Sequence, residues 1–291
     1  QDTHPYADYD FMSTWCKEVE NEYPNFNIVG EAWYPRGTAS AWWQKDSKMN
    51  EKNSNLKTVM DFDLTFTCQK AFGEVCSNNE GSEAGLFKIY EVIAQDFLFP
   101  NPNNVLTFLD NHDLGRFMQK GETDLRRYKQ AIAFLLTTRG IPQIYYGTEI
   151  LMTGTKAEGD GVIRTDFPGG WAGDPKNAFT PEGRTDLQNE AWNYMKKILN
   201  WRKHCDAVKE GKLIHYTPDG TGCYVYARVK DNKTVLVLMN GTDKNQTLDM
   251  NRFQEVVKDY KSGKDIITDT TVAIDTPVQI PARGVYILEL S

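Results

Sequence analysis

The chain has 291 residues, of which 40% are hydrophobic and 25% are charged. This composition is typical of a folded globular protein and argues against a disordered or fibrous one. The net charge of −7 argues against nucleic acid as a partner, because proteins that bind nucleic acid usually present a basic surface. No apolar run approaches the ~18 residues that a membrane-spanning helix needs, so no membrane segment is predicted.

The first part of the sequence alternates short apolar runs with helical patterns. Runs that end in polar or acidic residues predict strands buried on both faces, at residues 27–33, 58–64, 104–113 and 142–147. Helical periodicity predicts helices over residues 10–23, 86–97, 124–138 and 188–204. The strands start roughly 30 to 45 residues apart, and a (β/α)8 barrel spends about 31 residues on each strand–helix unit.

Beyond the last of these helices the pattern changes to short strands separated by turn residues. The predicted strands are residues 212–216, 222–229, 234–239, 246–250, 265–269 and 284–290. Strands of this length and spacing indicate an antiparallel β-sandwich. The predicted domains are therefore a barrel-type domain at 1–207 and a sandwich at 208–291.

The number of barrel-type strands raises a question about the fold. Only four of them precede the sandwich, whereas a closed barrel needs eight. Either the first domain has another α/β fold, or it is the second half of a (β/α)8 TIM barrel. In both cases the predicted class is α/β, followed by the antiparallel β-sandwich domain.

Three acidic residues, Asp2, Glu31 and Asp113, stand where such strands end, which is where barrel enzymes place catalytic side chains. Asp2 and Glu31 are 29 positions apart, one barrel step. Neighbouring strand ends can hold two carboxyl groups at the roughly 5 Å that retaining glycoside hydrolysis requires. Taken alone, Asp2 also fits a loop residue or helix cap, and Glu31 an ion pair with a basic side chain. Residues 110–113 also fit a turn or, with further ligands, a metal site.

Four segments together resemble one family. Residues 108–113 (FLDNHD), with Arg116 three places on, resemble the seventh-strand motif of the alpha-amylase superfamily, glycoside hydrolase family thirteen. Residues 29–33 (VGEAW) are similar to its fifth-strand motif, residues 140–149 (GIPQIYYGTE) to its eighth-strand motif, and residues 1–2 to the tail of its fourth-strand motif. The segments follow the family's order, which implies the C-terminal portion of such a protein.

The resemblance implies a role for each acid. Asp2 would be the nucleophile, Glu31 the general acid and then the base, and Asp113 the group that holds substrate hydroxyls and stabilises the transition state. His112 would hydrogen-bond the same sugar. The chemistry agrees with these roles, because a proton donor needs a raised pKa and neighbouring carboxylates raise it.

Two further segments resemble the cyclomaltodextrinase and neopullulanase branch: residues 2–8 (DTHPYAD) and residues 163–171 (IRTDFPGGW). In that branch an Arg and an Asp after the eighth strand contact the substrate, which makes Arg164 and Asp166 substrate-binding candidates. Trp33 is another candidate, since its ring either stacks on a sugar or packs the loop. Many family members carry a Lys-His or similar pair just past the nucleophile, and its absence here means that leaving-group contacts do not carry over.

The function implied is that of a retaining glycosidase hydrolysing α-1,4-glucosidic bonds of starch-type glucans, such as cyclodextrin, pullulan and maltooligosaccharides. Transglycosylation, or a non-catalytic glycan-binding or scaffold role, stays open as an alternative. The partner expected is an α-glucan, and no cofactor or metal-ligand set is evident, although a calcium site could lie in a missing N-terminal part.

The chain alone is expected to be inactive, and to associate with a second copy or with a missing N-terminal half. The resemblance implies a periplasmic or extracellular location. The odd number of cysteines, five, in unrelated elements predicts thiols rather than disulfides.

Overall fold

The computed structural model describes residues 1–76, 84–218 and 220–291. Its first part is built on short parallel strands: β1 (Val29–Gly30), β2 (Thr58–Val59), β3 (Leu106–Phe108) and β4 (Ile141–Gln143). Val29 pairs with Thr58, a further parallel bridge joins Met60 to Leu106, and Leu106 pairs with Ile141. The order in the sheet therefore follows the order in the chain.

Helices lie between and after these strands. The α-helices are α1 (Tyr9–Glu22), α2 (Gly37–Trp42), α3 (Phe62–Ala71), α4 (Leu86–Ile93), α5 (Arg126–Thr137), α6 (Asp160–Ile163), α7 (Asp186–Arg202), α8 (Asp206–Glu210) and α9 (Gln254–Val257). Short 3₁₀ helices span His4–Tyr6, Asp96–Leu98, Pro102–Asn104, Thr148–Ile150, Lys156–Glu158, Pro181–Gly183 and Met250–Phe253. Alternation of parallel strands with helices is the pattern of a (β/α)8 barrel.

Local sequence sets where the long helices begin. Helix α1 begins after Asp8, whose carboxylate accepts a hydrogen bond from the Phe11 N–H (2.9 Å). Helix α7 begins with a capping box, in which Thr185 and Gln188 exchange hydrogen bonds. These caps satisfy amide groups of the first turn that have no partner inside the helix.

The second part is antiparallel throughout. Its strands are β5 (Lys212–Tyr216), β6 (Cys223–Lys230), β7 (Lys233–Asn240), β8 (Gln246–Leu248), β9 (Ser262–Asp265), β10 (Thr271–Ala273), β11 (Val278–Ile280) and β12 (Val285–Leu290). The large sheet has the order β10-β9-β12-β7-β6-β5, and β8 pairs with β11 in a small sheet.

Strands β6 and β7 are buried on both faces. Tyr226 and Val237 belong to the core shared with the helices of the first part, whereas Val225 and Leu238 belong to a second core under the small sheet. Successive side chains of a strand point to opposite faces, so one sheet serves both cores. The fold is the second half of a (β/α)8 barrel followed by an antiparallel β-sandwich, as predicted.

A buried ionic network lies between the two parts. The Arg139 guanidinium, after α5, pairs with Asp61 (2.8 Å) and Asp96 (2.6 Å). Arg228 of β6 lies close by and donates to the Asn103 side chain (3.1 Å). Buried charges of this kind are tolerated because each guanidinium is hydrogen-bonded.

The predicted strand at 58–64 is wrong over its second half. The strand ends at Val59, and Phe62 begins α3. The reason is a cap: the Asp61 carboxylate accepts from the Leu64 N–H (3.1 Å) and so starts a helix where the apolar run continues.

The predicted strand at 265–269 is also wrong, because β9 ends at Asp265. The Asp265 carboxylate accepts from the Thr268 N–H (3.1 Å), which folds these residues into a turn. Strands β10 and β11 and helix α2 were not predicted, since each is too short to show a periodicity.

Strand β4 is an open edge of the described sheet. Among the described residues no strand pairs with its far side. A hollow of about 760 Å³ adjoins this edge, and its apolar lining includes Ile144, Trp192, Met195 and Leu199. An uncovered strand edge next to an apolar surface is a place where further chain can pair.

Two other predictions concern single features. None of the helices in the described ranges is long and apolar enough to cross a bilayer. All five cysteines are buried thiols rather than disulfides.

Candidate active site

The N-terminal segment lies beside β1 and brings Asp2 next to Glu31. The Gln1 nitrogen donates to the Val29 carbonyl (2.8 Å), and the Glu31 N–H donates to the Gln1 carbonyl (2.9 Å). This is the bond pattern of a parallel neighbour strand. Asp2 and Glu31 therefore occupy adjacent strand ends, where the sequence predicted them.

The carboxyl groups of Glu31 and Asp2 are close enough to share a hydrogen bond, which requires a proton on one of them. Burial raises the pKa of Glu31 most, and the hydrogen bond to Asp2 raises it further. The Thr3 N–H, which donates to Glu31 Oε2 (2.9 Å), acts in the opposite direction, whereas the charges of Asp2 and Asp113 add to the rise. Glu31 is thus the carboxyl group favoured to hold the proton.

Thr3 adopts a backbone conformation that β-branched residues rarely take. Its φ of 48° and ψ of 37° lie in the left-handed region. This turn aims the Thr3 N–H at Glu31. Strain of this kind persists where the surrounding structure fixes it, often at functional sites.

Asp113 lies in the loop after β3 and is held by its neighbours. The Asn111 side chain accepts from the N–H groups of Asp113 and Leu114 (2.9 Å each), which closes a turn. Asp110 is buried and accepts from the Phe117 N–H (2.8 Å) and the Thr148 hydroxyl (3.1 Å). Residues 110–113 therefore form the turn that the sequence allowed, with Asp113 at its accessible end.

The Asp113 carboxylate contacts two of the predicted substrate-binding residues. His112 Nε2 lies 3.0 Å from one of its oxygens, and an Arg164 nitrogen lies 2.7 Å from the other. The Coulombic effect of Asp113 on Glu31 shows that the two acids share one electrostatic environment. The structure therefore brings together Asp2, Glu31 and Asp113, with His112 and Arg164 at the last of them.

The remaining two candidates are less tied to this cluster. The Trp33 ring stacks on Phe62 with centroids 4.5 Å apart and planes inclined by 17°. Trp33 stays 40% exposed, so its ring packs the loop and still offers surface to a ligand. Asp166 is exposed and makes no ion pair within the described ranges.

Arg116 is a residue of the site whose role was not predicted. Its guanidinium lies over the rings of Tyr145 (4.1 Å) and Tyr146 (4.8 Å) and donates to the Ile163 carbonyl (3.0 Å). It thereby connects the loop after β3, the end of β4 and the loop that carries Arg164. The Arg three places past the seventh-strand motif was the only signal for it in the sequence.

His4 is buried beside the acids, and both ring nitrogens lack a hydrogen-bond partner among the described residues. Burial lowers the pKa of His4 to about 4, so the ring is neutral at physiological pH. The ring packs edge-on against Trp43 with centroids 5.7 Å apart. His4 thus acts as a packing residue here, and its N–H fixes the strand end through the Glu31 carbonyl (3.2 Å).

Metal binding was weighed for the turn at 110–113. In the part of the chain that the structure describes, no three His, Cys, Asp or Glu side chains converge in the manner of a metal site. The carboxyl groups present are instead arranged for proton transfer and nucleophilic attack.

Carboxyl groups gathered at adjacent carboxyl ends of barrel strands, with an antiparallel sandwich behind them, define the class of amylase-type barrel proteins. Comparison with family models agrees. The model described as "Alpha amylase, catalytic domain" matches residues 2–210, and that described as "Cyclo-malto-dextrinase C-terminal domain" matches residues 213–289. The chain belongs to the alpha-amylase family.

Individual relatives are more distant. A cyclomaltodextrin glucanotransferase of Thermoanaerobacterium thermosulfurigenes is 30% identical over 207 residues, covering 71% of this chain and 26% of the relative. An alpha-amylase of Niallia circulans is 27% identical over 278 residues, covering 92% of this chain and 46% of the relative. The chain thus spans less than half the length of these relatives.

Solved structures show the same fold. The alpha-amylase from Geobacillus thermoleovorans complexed with acarbose superposes with a TM-score of 0.75 at 22% identity, over 98% of this chain and 57% of that one. The cyclic alpha-maltosyl-(1→6)-maltose hydrolase from Arthrobacter globiformis superposes with a TM-score of 0.70 at 17% identity, over 100% of this chain and 55% of that one.

Proposed function

We propose that the chain supplies the catalytic acids of a retaining glycosidase that hydrolyses α-1,4-glucosidic bonds of starch-type glucans. The observation that carries the proposal is the hydrogen bond between the carboxyl groups of Glu31 and Asp2. A retaining enzyme needs one protonated and one ionised carboxyl group at about this separation. Burial and the neighbouring acid favour the proton on Glu31.

In the proposed first step, Asp2 attacks the anomeric carbon while Glu31 gives its proton to the leaving oxygen. In the second step the Glu31 carboxylate takes a proton from water, which attacks the anomeric carbon and releases Asp2. Asp113 accepts hydrogen bonds from sugar hydroxyls. A carboxylate offers about four acceptor positions, and His112 and Arg164 use two of those on Asp113.

The roles of the two acids are tested in the complete enzyme with an aryl α-maltoside as substrate. Glu31→Gln should lower kcat on maltooligosaccharides by about 10²- to 10⁴-fold, the usual contribution of general acid–base catalysis. Added azide should then give an α-glycosyl azide, whereas azide with Asp2→Gly should give the β-anomer. Glu190→Gln is the matched control, because Glu190 is an exposed glutamate paired with Lys129 on the outer helices.

Near-normal turnover of Glu31→Gln, or an inverted product from the unmodified enzyme by NMR, would contradict the proposal. Tight binding of maltooligosaccharides without any turnover by the unmodified enzyme would favour the non-catalytic glycan-binding role.

For the substrate we propose cyclodextrins, with pullulan and linear maltooligosaccharides as further candidates. The match of residues 213–289 to a cyclomaltodextrinase C-terminal domain supports this choice. Transglycosylation is a second candidate, supported by the relatives named cyclomaltodextrin glucanotransferases. Product analysis with and without added glucose separates the two, since a transferase gives longer or coupled products and a hydrolase gives free reducing ends.

We further propose that activity requires a closed barrel. The open edge of β4 and the apolar hollow of about 760 Å³ beside it support this proposal. Further strands, or a second copy of the chain, would pair with that edge and cover the hollow. Closure would also fix the acids, whose geometry catalysis tolerates only within about half an ångström.

A further inference from the structure

Arg164 makes a fork-like contact with two successive residues of the site. Its Nε donates to the His112 carbonyl (2.8 Å), and a terminal nitrogen pairs with Asp113 Oδ1 (2.7 Å). Two contacts from one planar guanidinium fix the direction of approach as well as the distance. The contact therefore orients the Asp113 carboxylate relative to its own backbone.

The backbone of Arg164 is itself anchored on both sides. The Ile163 carbonyl accepts from Arg116 Nε (3.0 Å) and from the Tyr145 hydroxyl (3.3 Å). The Thr165 carbonyl accepts from the Tyr146 hydroxyl (2.9 Å). The segment that carries Arg164 is thus fastened to the end of β4, so the guanidinium is presented to Asp113 from a fixed base.

Behind Arg164 the charges alternate. Asp160 lies 3.1 Å from the same guanidinium nitrogen that contacts Asp113, and Lys156 pairs with Asp160. Arg164 is therefore shared between two carboxylates, which leaves Asp113 with net acceptor character for sugar hydroxyls.

We propose that Arg164 is a positioning residue for Asp113, holding its carboxylate in place for the reaction, in addition to any contact with substrate. This inference rests on the proposed function, because it assumes that Asp113 takes part in glycoside hydrolysis. It differs from the substrate-binding role predicted from sequence, which would act on affinity and leave turnover unchanged.

The proposal also has an electrostatic consequence. Glu31 is faced by Asp2 and His4 of the N-terminal segment, whose first residue carries an amino group, and by Asp113 of the β3 loop, behind which His112 and Arg164 lie. The charge of Asp113 raises the pKa of Glu31, and the positive charge of Arg164 offsets part of it. Removing that cation should raise the pKa of the proton donor further.

The experiment compares Arg164→Gln and Arg164→Lys in the complete enzyme with the proposed glucan substrates. Arg164→Gln should lower kcat by about 10- to 100-fold, as expected when a reacting group is misplaced, with little change in KM. The alkaline limb of its pH–rate profile should move upward. Arg164→Lys should recover part of kcat, since an ammonium reaches the carboxylate but lacks the planar fork. Arg126→Gln, which removes an exposed Arg–Asp pair elsewhere, is the matched control.

A rise in KM with unchanged kcat would overturn the proposal, as would kcat within about twofold of the unmodified enzyme. Crystal structures of the unmodified enzyme and Arg164→Gln give a readout without turnover. The Asp113 carboxylate should leave its position in the variant, and an unmoved carboxylate would also overturn the proposal. Failure of the proposed function would instead appear as an inactive unmodified enzyme.

Discussion

Arg139 and Asp61 form an ion pair of 2.8 Å in which both side chains are 1% exposed. Asp96 holds the other side of the guanidinium, and together the two carboxylates outweigh the cost of burial and raise the pKa of Arg139 above its ordinary value. The group is therefore charged in the folded protein. It joins the turn after β2, the segment after α4 and the residue before β4.

Replacing Arg139 with Met should destabilise the complete enzyme by about 3–5 kcal/mol, because two buried carboxylates lose their counter-charge. The measurement is the free energy of unfolding in urea. Arg126→Met, which breaks an exposed pair with Asp124, should cost less than about 1 kcal/mol. Equal effects of the two substitutions would show that the buried network does not stabilise the fold.

Asp110 should make stability depend on pH in the acidic range. Burial raises the pKa of Asp110 to about 6 from an ordinary 3.8, so the folded state binds the proton more tightly than the unfolded state. The stabilisation is fully present below about pH 4 and is lost as the pH rises through about 6, by roughly 3 kcal/mol. Asp110→Asn should remove this slope in urea unfolding measured between pH 4 and 7. An unchanged slope in the variant would assign the effect to another group.

The cysteines should behave as protected thiols. Burial raises the pKa of Cys16 to about 11 and that of Cys76 above its ordinary value, so thiolate formation at neutral pH is suppressed. Titration of the unreduced chain in denaturant should give close to the five thiols present, and titration of the native protein should be slow. A count of one in denaturant would indicate two disulfides.

The chain alone should be inactive on cyclodextrin, pullulan and starch, because the acids lie on an open sheet. Its solution mass should exceed that of the 33.2 kDa monomer, since the β4 edge and the adjoining apolar hollow favour association. Light scattering and reducing-sugar assays measure both. Hydrolysis by a verified monomer would contradict the need for closure, whereas activity restored by adding the N-terminal half would support it.

Sequence reasoning identified the strand ends, because an apolar run followed by an acid is a local pattern. Glu31 and Asp113 could be located in that way, and Asp2 through its spacing from Glu31. The pattern misled at 58–64, where the same apolar run continues into α3 past the Asp61 cap. It also gave no hint of the left-handed turn at Thr3, since any residue type can be forced there by its surroundings.

The contact of Arg164 with Asp113 was beyond the sequence for a different reason. The two residues are 51 positions apart, and their meeting depends on Arg116 and two tyrosines that fasten the intervening loop. Motif order gave the neighbourhood of Arg164, but the atoms it touches depend on packing in three dimensions.

The double burial of β6 and β7 bears on how such proteins diversify. A module that is joined by a flexible linker can be exchanged or deleted without harm to its neighbour. Here Tyr226 of β6 packs edge-on against Phe134 of α5 with ring centroids 6.0 Å apart, so the sandwich completes the core of the half-barrel. Transplanting a sandwich from a relative should succeed only when the outward face of α5 is exchanged with it, and the two parts are expected to be inherited as a unit.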